Sequence, residues 1–503
     1  MVSYLEPFPL AAPGQRSGSS FSTNLALGDL AVFRLCARAR SVELALLCSV
    51  ILSTYGFGQF ETRGEFLAAS GPNSIAVGDF NHDGKLDLAV VGGDTNADNT
   101  AILLGNGDGT FRPAQYYTAG VGPGSIVAAD FNGDGNLDLA VASQSNYISI
   151  LLGNGDGTFQ PPIKSPPVPR LERFVTAGDF NGDGVPDLVT LGSDVISVLI
   201  GNGDGTFQKA VVSRLSFSVY TIGVGDFDRD GILDLAAAGS FEFDKSVHIL
   251  LGNGDGTFRR GASYVGGNVP VSIAVADFRG DHKLDLAIAD SEGTGISVML
   301  GNGDGTFEPA TVYPVAFSNW VTTADLNGNG KLDLVVAVAR HYSSGVTIFS
   351  GNGDGTFQQG MFYLGGDETP YVATGDFNGD RKIDLALAEG LYSDVFVLLN
   401  TGTVAFSPTA PLNFKEQAAG TTSAPQVVTL TNNGTTELTI SSMKVAGEFA
   451  MTSSCGKTLA SAANCTISVT FSPQSQGLKS GKVAIDDRAS SKPQVIELRG
   501  TGT

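Results

Sequence analysis

The chain has 503 residues, of which 42% are hydrophobic, enough for two or three packed domains; this excludes an intrinsically disordered protein. A net charge of −21 with no offsetting basic patch excludes nucleic acid and anionic membrane surfaces as partners and favours small cations. With 66 glycines and abundant Asn and Asp, the composition describes short strands joined by tight turns, an all-β chain.

In chain order, Arg34, Arg38 and Arg40 precede an apolar run at 44–52, and Gly56, Phe57 and Gly58 offer a small-x-small cleavage site. This predicts an N-terminal extension and signal peptide over 1–58, cleaved after Gly58. The run is shorter than the about 20 apolar residues that cross a bilayer, so no membrane span is expected in the mature chain. The long stretch ahead of the arginines is unusual for a leader and allows a translation start further downstream. Cys36 and Cys48 fall within this segment. Once it is removed, Cys455 and Cys465 remain as one possible disulfide with no free thiol, which suits an oxidising compartment. The expected location is secreted or at the cell surface.

Beyond the leader the sequence repeats itself. Segments of the form D-F-N-G-D-G-x-L-D-L begin at Asp79, Asp130, Asp179, Asp226, Asp277, Asp325 and Asp376, at spacings of 47 to 51 residues. A second marker, G-N-G-D-G-T-F, recurs six times and ends at Phe111, Phe159, Phe207, Phe258, Phe307 and Phe357. A period near 50 fits one four-stranded propeller blade. In the first repeat, strands are predicted at 75–78, 86–91 and 101–104, with Leu86, Leu88 and Val90 on one side of the sheet. The Asn-Gly-Asp-Gly at 106–109 is a hairpin signal, its Asp a turn residue, and the fourth strand is expected to begin near Phe111. The recurrent Phe is expected to pack between blades.

The register also predicts how the ring closes. Moving back by one repeat of 51 residues carries Phe111 onto Phe60 and Pro123 onto Pro72. The start of the mature chain is therefore expected to supply the outer strand of the last blade, leaving no open edge.

Each repeat opens with an acidic loop. In the first, Asp79, Asn81, Asp83 and Asp87 place oxygen side chains at loop positions 1, 3, 5 and 9. The carbonyl of position 7 can add a ligand, and Gly84 permits the sharp turn at position 6. Calcium takes six to eight hard oxygens, so the pattern is read as a calcium site, up to seven ions in all. An EF-hand needs flanking helices and a Glu at position 12; here Asp87 runs straight into a β-patterned segment. Full sets recur as Asp130, Asn132, Asp134 and Asp138; as Asp179, Asn181, Asp183 and Asp187; and as Asp226, Asp228, Asp230 and Asp234. The fifth loop keeps Asp277, Asp281 and Asp285 but has Arg279 and His282 in place of an oxygen ligand and the Gly, which predicts a weaker site. The sixth offers Asp325, Asn327, Asn329 and Asp333. The seventh has Asp376, Asn378, Asp380 and Asp384, with Arg381 in place of the Gly. The loop carboxylates number 21, equal to the net charge.

On these loops the chain resembles the FG-GAP and VCBS repeat family, related to the integrin α-subunit propeller, over 59–402. The resemblance implies a seven-bladed β-propeller with β-hairpin calcium sites on one face and ligand recognition on the opposite face.

From residue 403 to 503 the acidic loops stop, and strands predicted at 426–430, 438–440, 466–471 and 482–485 suggest a β-sandwich. T-L-T-N-N-G-T, C-T-I-S-V-T-F-S-P and the closing L-R-G-T-G resemble immunoglobulin-like ASH/hydin domains, which implies a module that spaces or docks a partner. A Cys455–Cys465 disulfide would pin the loop between them.

Five residues ahead of the loop Asp, on the face expected to lie opposite the acidic loops, stand Phe174, Trp320 and Tyr371, candidates to stack on a sugar or grip a peptide. The expectation is a monomeric, calcium-binding, non-catalytic protein acting in adhesion or in binding an extracellular protein or glycan. The alternative is a calcium-dependent polysaccharide lyase or other carbohydrate-active enzyme. Of the four histidines, His82 and His282 lie inside acidic loops, His248 in a strand and His341 in a turn, with no nucleophile motif beside them.

Overall fold

The computed structural model describes residues 60–503 except 94–99, 170–173, 240–244, 294, 340–343, 366–367, 391–392, 401, 403, 408–411, 433–436, 461–462 and 488–493. The expected leader, its cleavage after Gly58, Cys36, Cys48 and His341 lie outside the described residues. Among those residues every regular element is a strand, and no helix is long and apolar enough to cross a membrane.

The repeats fold as seven four-stranded antiparallel sheets. In the first, Pro72–Gly78, Asp87–Gly92, Thr100–Leu103 and Gln115–Tyr117 pair in sequence order. Each sheet packs on the next, and Tyr371–Gly375 of the seventh meets Pro72–Gly78 of the first, closing the ring of a β-propeller. The seventh sheet takes its outermost strand, Phe60–Leu67, from the beginning of the described chain, paired antiparallel with Asp394–Asn400. This is the closure that the repeat register predicts.

Packing explains why the second strand of each blade is so apolar. Asp87–Gly92 is buried along its whole length. Leu88 and Val90 pack toward the seventh sheet with Ala386, Ala388 and Val397, while Ala89 and Val91 pack toward the second with Ile126, Leu139 and Val141. Alternation therefore chooses between two neighbouring blades, both of them dry. The face opposite Leu88 and Val90 is a second core surface. Strand ends also shift from the expected ones. Phe111 makes a single bridge with Gly105, and the fourth strand begins at Gln115, because the tight turn must first return the chain to the sheet edge.

The recurrent Phe performs the expected packing. Phe111, Phe159, Phe207, Phe258, Phe307 and Phe357 each set an edge against the acidic-loop Phe of the preceding blade, with ring centroids 5.3 to 6.1 Å apart. At the seventh junction Phe60 shares a core with Leu326, the residue that replaces Phe in the sixth loop.

The C-terminal residues form a sandwich. One sheet orders Val404–Ser407, Gln426–Asn432, Asn464–Phe471 and Phe449–Ser453; the other orders Leu412–Asn413, Gln494–Gly502, Gly477–Asp487, Leu438–Ala446 and Thr458–Leu459. Val428, Leu430, Ile467 and Phe471 face Ile440, Val483, Ile485 and Leu498 across one core. Cys455 and Cys465 form the disulfide.

Candidate metal sites in the acidic loops

Each acidic loop is a turn whose side-chain oxygens gather its own backbone donors. In the first, Asp79 accepts the N–H groups of Asp83 at 3.1 Å and Gly84 at 2.8 Å. Asn81 accepts from Asp83 at 3.0 Å, and Asp83 from Lys85 at 3.0 Å. The second loop repeats this with Asp130, Asn132 and Asp134. The third does so with Asp179, Asn181 and Asp183. The seventh uses Asp376, Asn378 and Asp380. Position 1 thus holds the N–H groups of positions 5 and 6, position 3 that of position 5, and position 5 that of position 7, which folds the loop over its own side-chain oxygens.

Two positions in the turn, not one, are left-handed. Position 6 has φ of 78° at Gly84, and position 4 has φ of 56° at His82, 63° at Arg229 and 70° at Gly133. His282 and Arg381 hold the same conformation at position 6, with φ of 62° and 68°, so both loops keep the turn without glycine. The left-handed region costs a residue bearing Cβ about 1–2 kcal/mol, against about 0.5–1 kcal/mol of entropy for glycine. Arg381→Gly is therefore expected to raise the melting temperature by a degree or two, about 0.5–1 kcal/mol, in a thermal scan. A fall would show that the arginine side chain stabilises the loop.

Position 9 does something the spacing does not announce. Asp87, Asp138, Asp187, Asp234, Asp285 and Asp384 are fully buried, and Asp333 nearly so. Asp138 Oδ2 accepts the N–H of Phe131 at 2.9 Å, and its Oδ1 accepts that of Gly153 at 2.7 Å, so one carboxylate ties the acidic loop to the following hairpin turn. The same clamp appears in all seven repeats. Burial, and then the charges of the other loop aspartates, push Asp87 up to about 6. Burial first, with like-charge repulsion behind it, lifts Asp333 and Asp384 to about 7.

The turn aspartates behave otherwise. Asp108 Oδ1 accepts from the Thr110 hydroxyl at 2.5 Å and from its N–H at 3.0 Å, which holds the carboxyl below its usual range. Its backbone neighbour Gly109 donates to the carbonyl of Phe377 in the preceding blade at 2.9 Å. The seventh repeat has no such turn, and Asn400 takes over both tasks. Its N–H reaches Asp384 at 2.7 Å, and its buried side-chain amide donates to the carbonyl of Leu326 at 2.6 Å. Sequence reading passed over Asn400; the missing seventh copy of G-N-G-D-G-T-F was the available signal.

The loops differ in what they bring together. In the fourth, carboxylate oxygens of Asp226, Asp228 and Asp234 lie within 4.8 Å of one another, and among the described residues no other three acidic, His or Cys side chains converge so closely. Asp228 Oδ2 accepts from Arg259 at 2.9 Å, while its Oδ1 is buried with no hydrogen-bond partner. Asp230, at position 5, instead bonds the N–H of Ile232. In the sixth loop the Asn327 amide leans on Asp333 at 3.3 and 3.4 Å.

The three aromatics do not form one patch. Trp320 and Tyr371 pack against each other with ring centroids 4.2 Å apart and planes tilted by 33°, whereas Phe174 packs into the core between the third and fourth blades. Burial pushes the Tyr371 hydroxyl up to about 12. Of the histidines, His82 bonds Asn136 of the next loop at 2.9 Å, and His248 is buried, stacked on Phe217 at 3.7 Å and bonded to Ser263.

The model of the FG-GAP-like repeat matches six overlapping stretches, 79–141, 130–190, 179–237, 226–288, 277–336 and 325–387. No curated protein matches the chain. Among solved structures, a lectin of Agrocybe aegerita described for specific recognition of non-reducing terminal N-acetylglucosamine is 18% identical, over 66% of this chain and 86% of its own, with a TM-score of 0.43. BBS1N in complex with ARL6DN is 13% identical over 68% of this chain and 97% of its own, with a TM-score of 0.47. An ASH/PapD-like domain of human CEP192 is 17% identical over 20% of this chain and 85% of its own, with a TM-score of 0.16. The repeat matches run through more than half of the sequence, and the chain belongs to the FG-GAP-like repeat family.

Proposed function

We propose that this is a calcium-binding propeller that acts outside the cell in adhesion or in binding a protein or glycan, and that it is not an enzyme. The observation that carries the calcium reading is the fourth loop, where three carboxylates converge and Asp228 keeps a buried oxygen without a partner. A hard divalent cation would satisfy that oxygen and offset the mutual repulsion of the group. Asp226, Asp228 and Asp234 would hold it, aided by carbonyl oxygens and water. The first, second, third and seventh loops, with Asn at position 3, would bind with one charge fewer, and the sixth, with Asn at positions 3 and 5, with two fewer, each at lower affinity. The disulfide supports an oxidising compartment and so an extracellular site of action. The C-terminal sandwich is read as an ASH-like spacer or docking module, and the whole as a monomer.

Terbium luminescence of the whole chain tests the metal reading: Asp228→Asn is expected to remove the tightest site, and unchanged titration would overturn the assignment. The same Asp228→Asn chain and a Trp320→Ala chain, probed on glycan and protein arrays with and without calcium, test ligand binding. Trp320→Ala is expected to lose at least half of any captured ligand, and equal capture dismisses the aromatic pair as the binding face. Turnover in a reducing-end assay on acidic polysaccharides would replace the binding reading with the lyase.

A further inference from the structure

We propose that the fifth acidic loop carries its own cation, the guanidinium of Arg279, and is closed to metal. This rests on the reading that the other loops take calcium. Arg279 stands at position 3, where the other loops place an Asn or Asp oxygen. Its Nη2 donates to Asp285 Oδ1 at 3.0 Å and to the carbonyl of Gly301 at 2.5 Å, and lies 3.6 Å from Asp281 Oδ2. Nη1 reaches toward Glu308 at 3.9 Å. The guanidinium therefore touches the carboxylates of positions 5 and 9, two of the groups an ion would need.

The site cannot accommodate both. The Arg279 side chain is only 18% exposed and its Nε is buried without a partner, so the group is held within the loop and not splayed over it. A divalent ion seated about 2.3–2.6 Å from Asp281 and Asp285 would lie against a guanidinium at hydrogen-bond distance from the same oxygens, two desolvated positive charges in contact. Lys283, 3.5 Å from Asp281, adds a second positive charge. The clamp survives regardless: Asp285 still accepts from Phe278 at 3.0 Å and Gly301 at 2.8 Å. The fifth blade thus keeps the loop and its neutralisation while losing dependence on dissolved cation. An arginine cannot be chelated, so this blade is the part of the ring that stays ordered when calcium is withdrawn.

Hydrogen exchange on the whole wild-type chain, with calcium and with chelator, reads this directly. Calcium is expected to slow exchange at 226–234 by about tenfold at tenfold saturation, and to leave 277–285 unchanged. Equal protection of both loops overturns the inference, whereas protection of neither overturns the underlying calcium reading instead. Native mass spectrometry supplies the converse: Arg279→Asn is expected to bind one more calcium ion than wild type. A folded Arg279→Asn chain with an unchanged ion count also overturns it.

Discussion

Chelation is expected to lower the melting temperature of the chain by roughly ten degrees, and by more at pH 7.5 than at pH 5. The size follows from about 1.4 kcal/mol per site at tenfold saturation, summed over several loops. The pH dependence follows from the position-9 carboxyls. Asp87, at about 6, and Asp333 and Asp384, at about 7, lie above the 3.8 of an unburied aspartate, so the folded, metal-free chain binds more protons than the unfolded one between those values. Stability from this source is complete below the unfolded value and is lost as the pH rises through about 6 to 7. The turn aspartates, held below their usual range, act oppositely, and only where the medium is acid enough to protonate a free aspartate. In chelator the melting temperature should therefore fall from pH 5 to pH 7.5, and in calcium the slope should flatten or reverse, because the ion favours the charged carboxylates. Melting curves that coincide with and without chelator at pH 7.5 would remove the metal from this account.

The second large effect separates the clamp from the ligand. Asp138→Ala is expected to destabilise the chain by about 4 kcal/mol whether or not calcium is present, because it strands the N–H groups of Phe131 and Gly153 in the core, each at about 1–3 kcal/mol. Asp134→Ala, in the exposed part of the same loop, loses the bonds it accepts from the Asn136 N–H and the Asn132 side-chain amide, both open to water, and should cost about 1 kcal/mol in chelator but considerably more in calcium. Denaturant titrations of both variants in both conditions give the four values needed. An Asp138→Ala cost that vanishes in chelator would mean the buried carboxylate matters only as a ligand.

Much of this architecture can be read from residue spacing, because a repeat displays each contact several times. The Phe of G-N-G-D-G-T-F recurs at one register and meets the same partner in each junction; the same arithmetic places Phe60 on the last blade. What stays hidden depends on groups whose role lies across the chain. Asp138 looks like one more ligand until Gly153 is seen to donate to it from the next hairpin. The left-handed position 4 is disguised where His82 or Arg229 occupies it, since neither residue type advertises that conformation. Burial of both faces of Asp87–Gly92 follows from stacking between blades, which a single strand's pattern does not contain. Arg279 is visible as a departure from the motif, but only the structure turns it inward upon Asp285.

The strand that seals the propeller, Phe60–Leu67, leaves the ribosome long before its partner Asp394–Asn400 exists, some 327 residues later. At about 5–20 residues per second that is a wait of roughly a quarter of a minute to a minute. Throughout it, six blades' worth of nascent polypeptide can assemble as an open arc with one dangling arm. Until its partner emerges, that arm offers unpaired backbone groups to any other molecule's free edge, which makes sealing of the last blade the folding step most open to intermolecular pairing.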